Sequence, residues 1–313
     1  MRRSTEEALH DSRVRQAAFR FLDATRPLHD DQVLPWAVLS RGFEFEGERV
    51  PLVNQQGIFK PRILAGAPLA IRTAPPKPGV PPPYDDEITP SGLIRYRYRG
   101  TDPSHYENLW LRNARRWQVP LIYLHGVEEG RYLAEYPAFI VDDDPESLCV
   151  TVAVDDAGSA ELGQVLALGD QVARPVRRYT TRAVVARLHQ RAFRYRVLRA
   201  YRGRCGVCRL AHATLLDAAH IIADSERGGD PVVPNGISLC KLHHAAYDAR
   251  VMGIRPDLMI EIREDVLREV DGPMLRHGLQ EIHGWRLKAP SRSSERPDPD
   301  RLEVRYEQFR RAL

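Results

Sequence analysis

The chain has 313 residues, with 46 lysines and arginines against 42 acids and a net charge of +4 at neutral pH. That length suits two domains with separate cores, and the composition is ordinary for a globular protein. No apolar run approaches the roughly 20 residues of a membrane span. The start, MRRSTEEALHDSRVRQ, lacks the apolar stretch of a signal peptide, so a cytoplasmic protein without membrane contact is expected.

Helical spacing of Ala8, Val14, Ala18 and Leu22 predicts an N-terminal helix within residues 1–40. From about Gly42 to Val154 the pattern changes to short β runs punctuated by Gly and Pro, which reads as a barrel or sandwich. These runs are GFEFEG, RVPLV, PLAIRT, LIRYRYRG, VPLIYLHG, RYLAEYPAFIV and LCVTVAV. One helix interrupts them: SHYENLWLRNARRW opens on a capping-box pattern, Ser104-x-x-Glu107, and stops before Pro120. Trp110 and Trp117 on it are expected in the core. The proline-rich TAPPKPGVPPPYDDE is read as an extended loop and DDAGSAELGQ as a linker.

A basic helix is predicted over Thr181 to Arg202, with Val184, Leu188, Phe193 and Val197 as its apolar stripe. The stretch from Gln171 to Leu210 carries twelve arginines and no acid, which suits a polyanion. Arg187, Arg191 and Arg194 are the candidates for DNA-backbone contact. A solvated helix face is the plainer reading of the same charges. Beyond lie a strand, LMIEI, and a terminal helix from about Pro299.

Four cysteines are too few for a disulfide framework in a chain this long. Cys149 reads as a small core residue. CGVC (205–208) and CKLHH (240–244) form two knuckles about thirty residues apart. Cys205, Cys208, Cys240 and His243 make a Cys3His set suited to a closed, structural zinc site. Between the knuckles, LLDAAHII places Asp217 and His220 in an apolar run, where unpaired polar groups are costly.

The order of these residues resembles HNH (ββα-metal) nucleases with zinc knuckles, over roughly Tyr201 to Gly253. The resemblance implies a general base at His220, a helix ligand for a catalytic divalent cation (Mg2+, Mn2+ or similar) at His244, and Asn235 ordering the hairpin or orienting the base. Where the family commonly has Asp or His before the base, this chain has Ala219. Asp217 lies on the same strand face, about 6–7 Å along. It is read as the substitute ligand or as a group acting through another.

YDDEITPSGLIRYRYRGTD (84–102), with NQQGIFKP upstream, resembles the SRA family, whose PUA-like barrel flips modified cytosine out of duplex DNA. The resemblance covers about Gly42 to Pro145. It implies stacking faces at Tyr84 and Tyr98 and an acceptor for the base amine at Asp86, with Asp85 and Glu87 as alternates. Ordinary strand packing also explains Tyr96 and Tyr98.

Together these readings give an α+β protein: an SRA/PUA-like β-barrel domain plus a zinc-stabilised ββα-metal HNH domain with flanking helices. The expected organisation is a helical segment (1–40), a modified-cytosine reader (41–155), a linker with basic helix (156–200) and the nuclease with a C-terminal extension (201–313). The implied activity is type IV-like cleavage of double-stranded DNA carrying 5-methylcytosine or 5-hydroxymethylcytosine. A homodimer is expected, because one HNH site cuts one strand. The alternatives are an HNH nickase or defence nuclease without modification dependence, and a non-catalytic zinc-stabilised DNA reader.

Overall fold

The computed structural model describes residues 4–75, 93–154 and 170–312. The chain divides into two compact units, Met1–Leu188 and His189–Leu313. None of the described helices is long and apolar enough to cross a membrane.

The first unit opens with α1 (Thr5–Thr25), started by a capping box in which Ser4 and Glu7 exchange side-chain-to-backbone hydrogen bonds. Its buried face carries Val14, Ala18, Phe19 and Leu22, and among them Arg15, which is 1 % exposed. A buried guanidinium needs acceptors. Arg15 donates to the carbonyls of Pro68 (2.8 Å), Pro120 (2.7 Å) and Ala67 (3.4 Å), which lead into two strands of the sheet. The helix therefore shares a core with the sheet.

After α1 come β1 (Leu34–Pro35), α2 (Trp36–Arg41) and a separate hairpin of β2 (Phe43–Phe45) and β3 (Glu48–Val50). Gly42 enters that hairpin at φ +64°, where a Cβ would sit 1.9 Å from the Val50 carbonyl oxygen, so only glycine fits. The main sheet uses β4 (Ile58–Phe59), β5 (Ala70–Arg72), β6 (Ile94–Arg97), β7 (Leu121–Glu128), β8 (Arg131–Asp144) and β9 (Cys149–Val154). Their spatial order is β4-β5-β7-β8-β9-β6, with β1 also paired to β8. The pairings are antiparallel apart from β5 with β7. Tyr96 on β6, at one end of this path, directs its hydroxyl to the Arg72 carbonyl on β5 near the other end (3.3 Å). The sheet is curled on itself.

The helix α3 (Tyr106–Trp117) departs from the expected start. Asp102 takes the Ser104 amide, and His105 Nδ1 caps the helix by accepting from the Glu107 amide. Glu107 cannot close a capping box because its buried carboxylate pairs with Arg99. Trp110 and Trp117 are half-buried rather than core residues. Cys149 is a buried small residue on β9, as expected.

A single long helix, α4 (Asp170–Ala200), runs across the division between the units. In the first unit its Thr181 hydroxyl accepts from the amide of Val154 (2.9 Å) and donates to the Val154 carbonyl (3.1 Å), which ties it to β9. The predicted helix starts later than the observed one, and DDAGSAELGQ lies outside the described residues.

The second unit holds two hairpins, β10 (Leu216–His220) with β11 (Gly236–Cys240) and β12 (Met252–Ile254) with β13 (Ile260–Ile262). Four helices accompany them: α5 (Lys241–Asp248), α6 (Glu264–Arg268), α7 (Pro273–Gly278) and α8 (Pro299–Arg310). Phe193 and Val197 of α4, Ile237 and Leu239 of β11, Tyr247 of α5 and Leu302 of α8 belong to one core.

Arg15→Ala removes the donor that serves three buried carbonyls. It should destabilise the first unit by roughly 3 kcal/mol, measured by urea unfolding. An unchanged midpoint would show that α1 is held by its apolar face alone.

Candidate metal and catalytic site

The loop after α4 supplies Cys205 and Cys208, the end of β11 supplies Cys240, and the first turn of α5 supplies His243. One ligand atom from each of the four lies within 4.8 Å of all the others. Metal–sulfur bonds of about 2.3 Å in a tetrahedron place sulfurs about 3.8 Å apart, and the Cys208 and Cys240 sulfurs are 3.9 Å apart. His243 Nδ1 sits 3.1 Å from the Cys240 sulfur and 3.5 Å from that of Cys205. Its Nε2 lies 2.9 Å from the Gly278 carbonyl, so that nitrogen donates and the Nδ1 lone pair faces the sulfurs. Donor set, spacing and tautomer all fit a zinc-type ion. Such an ion could be held here by the four residues that the sequence singles out.

The same strand–helix junction positions the catalytic candidates. In the β10–β11 register His220 lies opposite Gly236, and Asp217 opposite Leu239. Asn235, fully buried just before β11, accepts from the Ile222 amide (2.9 Å) and donates to the carbonyls of Ile222 (3.0 Å) and Asp230 (3.1 Å). Its amide is spent on the loop between the strands. Of the two roles expected for it, the geometry matches ordering the hairpin.

The His220 ring stacks on Phe193 of α4, with centroids 4.0 Å apart and planes at 17°. Its Nε2 is buried and has no hydrogen-bond partner among the described residues. Burial pushes its pKa below the usual histidine value, with nearby His244 adding to the effect and Asp224 and Asp248 opposing it. An imidazole in that setting is neutral and can accept a proton. The stack depends on the bare backbone at Gly236, where a Cβ would meet Phe193 at 2.8 Å and Val197 at 2.4 Å.

His244 stands between two carboxylates. Its Nδ1 lies 3.4 Å from Asp217 Oδ2, and its Nε2 lies 3.3 Å from Asp248 Oδ2. Asp217 is also 2.5 Å from Lys241 Nζ and 3.8 Å from Arg194 Nε. Partial burial works against its ionisation, but Lys241 and His244 outweigh that and hold it below the usual carboxylate range. The sequence reading missed Asp248; its signal was the i, i+4 spacing from His244 on one helix face.

Arg194 requires a correction. Its guanidinium donates to the carbonyls of Ala213 (3.0 Å) and Leu216 (2.8 Å), so it braces the start of β10 rather than standing free for a phosphate. Arg196 does the same for the loop between the strands, donating to the Pro231 carbonyl (2.8 Å). Arg187 is exposed and Arg191 half-buried.

In the first unit Tyr84, Asp85, Asp86 and Glu87 lie outside the described residues. Tyr98 does not present the open stacking face expected of it, being 2 % exposed. Its hydroxyl donates to Asp143, and Arg112 reaches both Tyr98 and Asp143 at 3.2 Å. Burial, aided by Asp143, pushes the phenol up to about 12.

Residues 205–255 match a family model described as HNH endonuclease. This segment is an HNH endonuclease domain. It spans both knuckles, His220, Asn235, His244 and Asp248. A solved structure titled "Modification dependent TagI restriction endonuclease" aligns over 77 % of this chain and 81 % of its own, at 18 % identity and a TM-score of 0.30. No curated protein matches the chain.

Gly236→Ala should push Phe193 off His220 and destabilise the HNH domain by about 1–3 kcal/mol, the usual cost of overpacking. Thermal unfolding measures it, and Phe193→Leu in the same chain should recover part of the loss. Unaltered stability of the single variant would show that α4 does not need this contact.

Proposed function

We propose that the chain is a modification-dependent DNA endonuclease of type IV-like character, cutting double-stranded DNA that carries 5-methylcytosine or 5-hydroxymethylcytosine. The observation that carries the nuclease part is the HNH match over a hairpin and helix that bring His220, its buried Nε2 without a hydrogen-bond partner among the described residues, near His244 and its carboxylates.

His220 is the general base in this reading, taking the proton of the attacking water at Nε2 as water adds to phosphorus and one phosphodiester P–O bond breaks. The oxygen that leaves takes a proton from solvent. Phe193 fixes the plane of the base, and Asn235 fixes the hairpin that carries it. A divalent cation such as Mg2+ or Mn2+, held through His244, would stabilise charge on the phosphate and the leaving oxygen. Zinc at Cys205, Cys208, Cys240 and His243 is structural.

The reader is assigned to about residues 41–155 and the nuclease to about 201–313. Tyr84 and Asp86, with Asp85 or Glu87 as alternates, are assigned to a flipped-base pocket by their resemblance to the SRA family. Arg187 and Arg191 are assigned to the DNA backbone. A homodimer would bring two HNH sites to the two strands. The alternative, a nuclease indifferent to modification, draws support from Tyr98, whose ring and hydroxyl are already engaged by Arg112 and Asp143.

The test compares cleavage of two duplexes that differ only at cytosine C5, with Mg2+ or Mn2+ supplied at fixed salt. The modified duplex should be cut preferentially. His220→Ala should abolish cleavage while leaving DNA affinity near wild type, because the phosphate contacts survive. Equal cleavage of both duplexes would favour the modification-independent nuclease, and no cleavage of either would favour a non-catalytic reader.

A further inference from the structure

The chain lacks a ligand where its resemblance to the HNH family would place one. Ala219 is fully buried in the core of the second unit, so that strand position presents no donor. A carboxylate for the catalytic cation has to come from elsewhere, and two flank His244.

Asp217 is poorly suited. Lys241 Nζ, at 2.5 Å, and His244 Nδ1, at 3.4 Å, share its Oδ2, and Arg194 Nε stands 3.8 Å from its Oδ1. A divalent cation arriving there would meet two positive side chains already in place.

Asp248 is differently placed. Its side chain is 61 % exposed, and Oδ2 lies 3.3 Å from His244 Nε2. Its other oxygen, Oδ1, lies 3.8 Å from Arg305, whose guanidinium also donates to the Tyr247 carbonyl (2.9 Å), so Oδ2 is the oxygen turned to His244. Two adjacent ligands of an octahedral cation with bonds of about 2.1 Å are about 3.0 Å apart. The observed separation needs only a small rotation to reach that value. Histidine ligands commonly hold the cation through one nitrogen while a carboxylate takes the other. Asp217 on Nδ1 completes that arrangement.

We propose that Asp248 Oδ2 and His244 Nε2 are this chain's ligands for the catalytic divalent cation, and that Asp217 is a positioning residue that orients His244 through Nδ1. The inference rests on the nuclease reading for the purpose of the site, but not for its geometry.

The experiment titrates Mn2+ into the full-length, zinc-loaded chain and follows the bound ion by electron paramagnetic resonance, with cleavage of duplex DNA assayed in parallel. Wild type should bind Mn2+ beyond its zinc. Asp217→Asn should weaken that binding by about 10-fold, within the span over which partners of a metal ligand usually act, and Asp248→Asn, which removes a ligand charge, should weaken it by at least about 100-fold. Asp248→His, which restores a donor at the same helix position, should bind more tightly than Asp248→Asn; zinc content and circular dichroism show that each variant is folded. Wild-type affinity in Asp248→Asn, a greater loss in Asp217→Asn, or no Mn2+ on wild type would each overturn the assignment. Mn2+ binding that follows Asp248 without any DNA cleavage would support the site and sink the nuclease reading. Cleavage that persists with Asp248 irrelevant to Mn2+ would do the reverse.

Discussion

The second unit depends on what happens at the junction of β11 and α5. Cys240 ends the strand and stands at the helix N-cap, and three residues later His243 turns Nδ1 back onto the Cys240 and Cys205 sulfurs. A Cys-x-x-His pair can close on one ion across a strand-to-helix turn because the helix brings its first turn back over the cap. The next residue points about 100° further round the helix. His244 therefore leaves the sulfur cluster and meets Asp217 on the neighbouring strand. Two adjacent histidines thus face two different sets of side chains, and fixing the first aims the second.

The basic helix contributes to the same geometry from the other side. Arg194 and Arg196 donate to backbone carbonyls of the hairpin and its loop, and Phe193 lies flat on His220 above a glycine. Part of the positive charge that suggests a polyanion is thereby spent on holding the hairpin. The arginine run mixes internal braces with exposed cations such as Arg187. Position along the helix decides which is which.

Local signals were legible where both partners lie close in sequence. The N-terminal helix, the seven longer β runs and the LMIEI strand follow from short-range pattern and are present. The Cys3His cluster was legible because its paired knuckles carry the spacing of a closed four-ligand site, and the fold brings the four side chains together. Features set by distant partners were hidden. β1 forms only because β8 lies about a hundred residues ahead, and Arg15 is tolerated in a core only because carbonyls at Ala67, Pro68 and Pro120 converge on it. The Ser104 box failed for a local reason instead: Arg99 claims Glu107 and Asp102 claims the Ser104 amide. Tyr98 looked like a stacking face because its strand position could be read, but its partners Arg112 and Asp143 could not.

The most direct test of the account asks whether the Cys3His cluster both holds an ion and organises the catalytic hairpin. Elemental analysis of the purified chain should find about one zinc per molecule, and Cys240→Ser should lose it. Ligand binding at such a site is folding free energy. That loss should therefore unfold the second unit and end DNA cleavage, while hydrogen exchange in the curled sheet of the first unit stays protected. A well-folded, cleaving protein that contains no zinc would contradict the account.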